Sequence, residues 1–594
     1  MSDPVPPSEP AAGLEGRSDR PRSPAREWLV ILAIVIVGLS LRLQFLSDWA
    51  AVPSFWSLWG DELNFHQTAQ ALIDPAQNAP PFLYQPLYAF YLAGVYSLIG
   101  VDPAGAHHLQ LLWAALTILL AALLGREMAG RWGGRIAALL AAGYGPLIFL
   151  EGSLLDPAIN LPLLSLSLLF LLQSERGGFA WRLPLSGLAA GLVTMGRPNF
   201  AFCLPVAALW IWRRAWPRRR RLAGLALAAA GIWLGLAPAW IHNLRRGEAS
   251  LPVSSAGGIS FYIGNNPQAT GLYHVPKGER IDAGSHEAYR RSLRLLAEKA
   301  EGRPLDESEV SGYWFGQGLR FWKEHPLSAL RLAALKLLWA VNREEAPIHH
   351  PFLFGREVSG LLRWLIGFGV VFPFALLGAA LGRPRDSRVW LLAGCAAAYL
   401  ATLVLFYVAD RYRILLMPML WPLAARGMLA LGDRLRLGWR AAAGSLALLG
   451  GASLLAQLPL MSEAQQKNSI ASSYNLQGKI EGDVGHLDRA ERYFRLAIAH
   501  SAPGTGSLAR SNLGRLYELR GDEKEAERWY REAVEINPES RQALQRLAAL
   551  SERRGDIGAA LRWWEHLAEV SADDSTAQKQ IARLRALSSE APPP

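Results

Sequence analysis

Residues 28–46 read WLVILAIVIVGLSLRLQFL, an apolar run preceded by Arg17, Arg20, Arg22 and Arg26. At about 1.5 Å per helical residue such a run crosses a hydrocarbon layer of about 30 Å. No small-residue cleavage site follows it, so the run is expected to stay as an anchor with the N-terminus on the cytoplasmic side. Comparable apolar segments recur through a chain of 594 residues in which 51% are hydrophobic and only 19% charged. The expectation is an all-α polytopic helical membrane domain of about eleven spans over residues 28–462, after a disordered cytoplasmic tail at 1–27.

The formal charge of +11 does not indicate nucleic-acid binding. The arginines sit in short loops, Arg126 to Arg135, Arg213-Arg214 and Arg218 to Arg221 among them, where positive-inside topology accounts for them. Cys203 and Cys395 lie inside apolar segments and behave as small hydrophobes. The pairs His107-His108 and His349-His350 lack metal-ligand spacing, because adjacent residues on a helix point apart.

With the basic loops inside, residues 48–105 and 242–358 form outer loops. The first carries Trp59-Gly60-Asp61-Glu62-Leu63-Asn64-Phe65. Phe65, Ala69, Leu72 and Ile73 fall on one helical face, expected to lie on the membrane surface. Residues 82–100 are apolar and aromatic, yet a crossing there would place the basic loop Gly125 to Arg135 outside, so an interfacial or re-entrant helix is expected. The second loop contains the turn-rich stretch Ala256 to Pro267 and, at Leu327 to Val341, an amphipathic surface helix.

From about residue 470 the composition turns charged and helical, and a period emerges. Gly485, Gly521 and Gly555, like Ala490, Ala526 and Ala560, are spaced 36 and 34 apart, with aromatic pairs Tyr493-Phe494, Trp529-Tyr530 and Trp563-Trp564 after each alanine. Small residues allow paired helices to approach, aromatics fill between units, and about 34 residues is the tetratricopeptide period. Residues 470–590 are therefore expected to be an α-solenoid of tetratricopeptide repeats that binds a protein partner.

In this topology Asp61-Glu62, Glu151 with Asp156, Arg197, and Arg411-Tyr412-Arg413 meet on one face. A carboxylate can accept the proton of an attacking hydroxyl, guanidinium groups can hold a departing phosphate, and a second carboxylate can orient the acceptor or ligate a divalent cation. Asp61 and Asp156 are the candidate cation ligands. Each group also has an ordinary structural role open to it. Asp61 can cap its helix, Glu62 can complement the dipole, Asp156 before Pro157 fits an N-cap, and the arginines can anchor span ends.

The order Gly-Asp-Glu with a following aromatic, Gln85-Pro86-Leu87-Tyr88, Leu154-Leu155-Asp156-Pro157, Gly196-Arg197-Pro198, Ile263-Gly264-Asn265-Asn266-Pro267 and Arg411-Tyr412-Arg413 resembles the GT-C superfamily of membrane glycosyltransferases. The similarity is closest to the protein O-mannosyltransferase and lipid A aminoarabinose transferase branch, and covers about residues 28–432. The resemblance implies a polyprenyl-phosphate-linked sugar as donor substrate. It implies Asp61, supported by Glu62, as base or acceptor-orienting acid, Asp156 as a second acid, and Arg197, Arg411 and Arg413 at the donor phosphate. Glu151, Gln85, Tyr412, Asn265 and Asn266 are the acceptor or loop candidates. Asn64-Phe65 and Gln85 depart from the family pattern, Gln85 standing where the aminoarabinose branch has lysine, which argues against lipid A as acceptor. The implied enzyme works at the periplasmic face of a bacterial inner membrane, with the repeats periplasmic. A lipid-linked sugar flippase, or a non-catalytic scaffold anchoring the repeats, are the alternatives from other classes.

Overall fold

The computed structural model describes residues 24–590, apart from 78, 249–251, 275, 277–280, 282–285, 383–385 and 572–574. The expected tail therefore lies largely outside the described residues, as does the basic Arg383-Pro384-Arg385. Among the described residues the chain is helical from end to end, with two isolated β-bridges and no strand.

Among the described residues six helices are long and apolar enough to cross a membrane: Ala25–Trp49, Pro103–Ala142, Arg218–Arg245, Ser387–Leu405, Asp410–Arg436 and Trp439–Ala456. Shorter apolar helices at Leu87–Ile99, Pro157–Gln173, Pro198–Trp212 and Phe368–Ala380 fill the bundle around them. The longest, Pro103–Ala142, is broken at Ala129 and Gly130 and folds back on itself. Gly130 takes φ +66°, open to glycine at no steric cost, and a Cβ on Gly125 would strike the Gly133 carbonyl oxygen across the bend. The turn falls inside the basic loop Gly125 to Arg135. Helices Phe179–Gly196 and Arg218–Arg245 also meet through glycine: a Cβ on Gly187 would strike the Ala228 carbonyl, and one on Gly231 the Pro184 carbonyl. Small residues at such crossings let backbones approach where apolar burial alone gives helices no reason to associate.

Two expectations about surface helices are corrected. In Gly60–Ile73, Phe65 and Ala69 are buried within protein, Phe65 packing 5.2 Å from the Tyr88 ring, so the apolar face meets Leu87–Ile99 rather than lipid. In Pro326–Val341, Lys336 points inward, fully buried, its Nζ donating to Asn265 Oδ1 at 3.1 Å. Helix Leu87–Ile99 has 13 residues, short of the roughly 20 a crossing requires.

Seven helices from Glu463–Asp483 to Ser575–Glu590 stack as antiparallel pairs. Ala490, Ala526 and Ala560 are fully buried, and Gly485, Gly521 and Gly555 form the turns at φ +89°, +79° and +76°. Gly478 and Gly514 each receive an aromatic ring, Phe494 and Tyr530, where a Cβ would come within 2.6 and 2.8 Å. The first helix, capped by Ser462 and Gln465, docks on the membrane body. Gln477 Oε1 accepts from the Ser54 N–H at 2.9 Å, and Tyr474 packs on Phe354 at 5.2 Å.

Candidate active site

Helix Pro157–Gln173 separates two chemically different ends of the bundle. Beyond its C-terminus, Arg176 pairs with Glu127 at 2.8 Å and Arg388 donates to the Glu127 carbonyl at 2.6 Å, gathering the basic loops together. At its N-terminus, about 25 Å away for 17 residues, stand Asp156 and the other acids.

Asp156 is wholly buried and makes no capping bond. Arg197, at the end of helix Phe179–Gly196, takes both its oxygens, Nε to Oδ2 at 2.6 Å and Nη2 to Oδ1 at 2.5 Å, while Asn160 Nδ2 donates to Oδ2 at 2.7 Å. The Arg197 guanidinium lies 4.3 Å over the Tyr412 ring, and Arg411 lies 5.3 Å from the same ring. Arg411 reaches the Asp61 carboxylate, the more exposed of the acids in this group at 19% side-chain accessibility. Asp61 stands one residue inside the helix Gly60–Ile73, whose N-cap is Trp59. Asp61, Arg411, Tyr412, Arg197 and Asp156 thus form one chain of contacts drawn from four segments. Tyrosines close around it. The Tyr412 hydroxyl lies 3.0 Å from that of Tyr407. Burial, with Tyr289 and Asp61 nearby, pushes the Tyr84 phenol well above its usual value, and burial with Asp61 and Tyr412 moves Tyr273 up to about 12.

Arg411 Nε is buried with no hydrogen-bond partner among the described residues. An orphaned guanidinium N–H is costly unless a ligand completes it, and phosphate oxygens suit it.

Several candidates belong elsewhere. Arg413 turns its back on the site: residues two apart on a helix point about 200° apart. It pairs with Glu345 at 2.7 Å and donates to the carbonyls of Trp339 and Glu344 at 3.2 and 3.0 Å. Glu151 is buried against Arg42 of the first apolar helix at 2.6 Å, so it offers nothing to an acceptor. Asn265 and Asn266 are buried and fully used. Asn265 accepts from Trp322 Nε1 and Lys336 Nζ and donates to the carbonyls of Phe261 and Leu405. Asn266 donates to the carbonyls of Tyr262 and Ile263 and accepts from the Gln268 N–H. Gln85 lines a cavity beside the site.

Glu62 faces away from Asp61 and is buried. Its Oε1 accepts the Leu154 N–H at 3.0 Å, and its Oε2 lies 3.3 Å from His349 Nε2. Burial would raise its pKa, but His349, then His107 and the Leu154 N–H, outweigh that and hold it below the usual carboxylate value. His349 stacks on Trp59 at 4.2 Å, and His350 accepts from Trp59 Nε1 at 2.9 Å. The histidine pair set aside for lacking metal spacing thus fixes the start of the acidic helix. Distance along the chain hid it; Trp59 beside the acids was the one local sign. For Arg42, the sign was a charge inside an apolar run.

As cation ligands Asp61 and Asp156 fit poorly. Each is already neutralised by a guanidinium, and among the described residues there is no group of three or more His, Cys, Asp or Glu side chains arranged to hold a metal.

No curated protein gives a match to this chain. Among solved structures it is similar to the archaeal oligosaccharyltransferase AglB from Archaeoglobus fulgidus, solved with an inhibitory peptide and a dolichol-phosphate. The match has 13% identity and a TM-score of 0.41, covering 79% of this chain and 59% of that one. It also matches yeast Tom70, at 13% identity and a TM-score of 0.20 over 75% of this chain and 94% of that one. A third match is the Cut9-Hcn1 hetero-tetramer of APC/C, at 12% identity and 0.21 over 87% of each chain. Residues 507–540 match the family model of the tetratricopeptide repeat, and the two helices they contain, Ser507–Leu519 and Glu523–Ile536, form the repeat that the spacing of Gly521 and Ala526 marks.

Proposed function

We propose that the protein is an inverting membrane glycosyltransferase that moves a sugar from a polyprenyl-phosphate donor to an acceptor at the periplasmic face of a bacterial inner membrane. The observation that carries this reading is the Asp61 carboxylate, partly open, set beside two guanidinium groups that share the Tyr412 ring. Asp61 accepts the proton of the attacking acceptor hydroxyl, or orients that hydroxyl toward the anomeric carbon. Arg411, whose Nε lacks a partner, and Arg197 stabilise the negative charge that grows on the donor phosphate as the glycosidic bond breaks. Asp156 does not touch the sugar in this reading; it holds Arg197 at its angle. Tyr412 spaces the two guanidiniums, and the buried Glu62 fixes the helix that presents Asp61.

The cytoplasmic N-terminus and the periplasmic repeats follow from the same orientation, since the basic loops lie at the opposite end from the acids. The repeats recruit a protein partner beside the site. In membranes supplied with a radiolabelled polyprenyl-phosphate sugar, Asp61→Asn and Arg411→Met each lower transfer by roughly 100-fold or more, with expression unchanged. Wild-type transfer by Asp61→Asn overturns the assignment.

A further inference from the structure

Beside Asp61 lies a cavity of about 800 Å³ that the mechanism above does not use. One wall is the helix that carries Asp61. Asn64, Gln67 and Thr68 follow it at the three- and four-residue spacing that puts side chains on one stripe, so the stripe runs from the carboxylate into the cavity. Gln70 and Gln85 add two further amides, and Tyr84, which feels the Asp61 charge, stands between cavity and carboxylate.

The polar groups are of one kind. None of the side chains of Asn64, Gln67, Thr68, Gln70 or Gln85 is hydrogen-bonded to another described residue, and none is charged. The charges at the rim are spent on each other: Arg290 pairs with Glu307 at 2.9 Å and Glu287 with Arg291 at 3.0 Å. Among the described residues that line the cavity, an anion would find no uncommitted cation. Amides and hydroxyls, each able to donate and accept, match a ligand whose surface is itself made of hydroxyls, and Tyr84 on the wall adds an aromatic ring.

We infer that this cavity is the acceptor site and that the acceptor is a neutral, hydroxyl-rich saccharide. The inference rests on the transferase reading, because only the nearby Asp61 makes the occupant an acceptor. A hydroxyl of the bound saccharide then reaches Asp61 along the Asn64 stripe, while the donor phosphate stays with Arg411 and Arg197. Gln85, an uncharged amide on the cavity wall, becomes a specificity residue.

The test is saturation-transfer-difference NMR on the purified full chain in deuterated detergent. Maltotriose and chitotriose serve as neutral probes, glucuronic acid and inorganic phosphate as charged ones. A neutral trisaccharide gives a signal, and Gln67→Leu/Gln85→Leu weakens its binding by about tenfold or more, the effect of losing two neutral hydrogen bonds. Unchanged thermal unfolding of that variant separates lost contacts from lost fold; if it unfolds early, the single Gln67→Leu is read instead. No signal from either trisaccharide, preference for a charged probe, an unchanged signal in the variant, or displacement by a polyprenyl-phosphate monosaccharide each overturns the inference. Asp61→Asn keeps the saccharide signal. Its effect on transfer is read separately, so a failed acceptor site and a failed catalytic reading give different results.

Discussion

The ion pair between Arg197 and Asp156 offers a prediction whose size follows from its burial. The two side chains are 5% and 1% exposed, and both carboxylate oxygens are taken. In Asp156→Asn the side chain keeps its shape but loses its charge, and its amide NH₂ must face a guanidinium N–H. Arg197 is left as a buried cation whose remaining compensation is the Tyr412 ring at 4.3 Å. Removing one partner of a buried pair costs about 3–5 kcal/mol, and the retained ring contact and Asn oxygen place this case near 3 kcal/mol. That is on the order of a hundredfold in the unfolding equilibrium. Arg197→Met strands the carboxylate in the same way. Replacing both, Asp156→Asn with Arg197→Met, removes the stranded charge, so the double variant should cost less than either single change. The assay is unfolding of the purified protein in mixed micelles with increasing dodecyl sulfate, followed by tryptophan fluorescence, over the full cycle of four proteins. A coupling of about 2 kcal/mol or more is expected. Single variants costing under about 1 kcal/mol, the range of exposed pairs, or a double variant equal to the sum of the two, refute the reasoning. The double variant also separates fold from chemistry: it stays folded, yet transfer falls because the guanidinium is gone.

Lys336 predicts a pH dependence. Burial lowers its pKa from 10.5 to about 7, so between these values the unfolded chain holds the extra proton. Stability therefore rises with pH, by roughly 3 kcal/mol between about pH 7 and about pH 9.5, and Lys336→Met abolishes the slope and is the more stable protein at pH 7. Equal slopes in the two proteins count against it. Gly231→Val drives a side chain into the Pro184 carbonyl and should separate helices Phe179–Gly196 and Arg218–Arg245, lowering the yield of folded protein several-fold in a size-exclusion assay. Gly514→Leu meets the Tyr530 ring and should destabilise the repeats by about 1–3 kcal/mol, seen as earlier proteolysis within residues 507–540 while the membrane body stays intact.

What could be read along the chain was whatever local chemistry writes into a short window. The repeats announce themselves because each buries the same alanine, turns on the same glycine and stacks the same aromatic, so Ala526, Gly521 and Tyr530 carry the signal within one repeat. The bend at Gly130 was legible for a similar reason: arginines flank it on both sides. Span counting fared worse. The apolar helix Pro157–Gln173, of 17 residues, is packed largely inside protein, and apolar composition alone does not distinguish burial against protein from burial in lipid.

The site divides along the same line. Asp61, Asp156, Arg197 and Arg411 were singled out one by one, each with a capping or anchoring role that would have explained it equally well. Asp156 stands at the N-cap of Pro157–Gln173 and makes no capping bond, and that matters more than its proximity to Asp61. Asp156, a carboxylate at a helix start that forgoes the free backbone donors of the first turn and takes the distant Arg197 instead, is held by tertiary structure against its local preference. Local rules are broken this way where geometry is required for something other than folding. Arg413 and Glu151 complete the contrast. They carry the same charges, but each is paired inward, Arg413 with Glu345 and Glu151 through one oxygen with Arg42. Within one stretch of three residues, Arg411 keeps an unmet N–H toward the site and Arg413 meets a carboxylate and main-chain carbonyls away from it. Only the partners across the fold tell the two apart, Asp61 and the Tyr412 ring for Arg411 against Glu345 and main-chain carbonyls for Arg413.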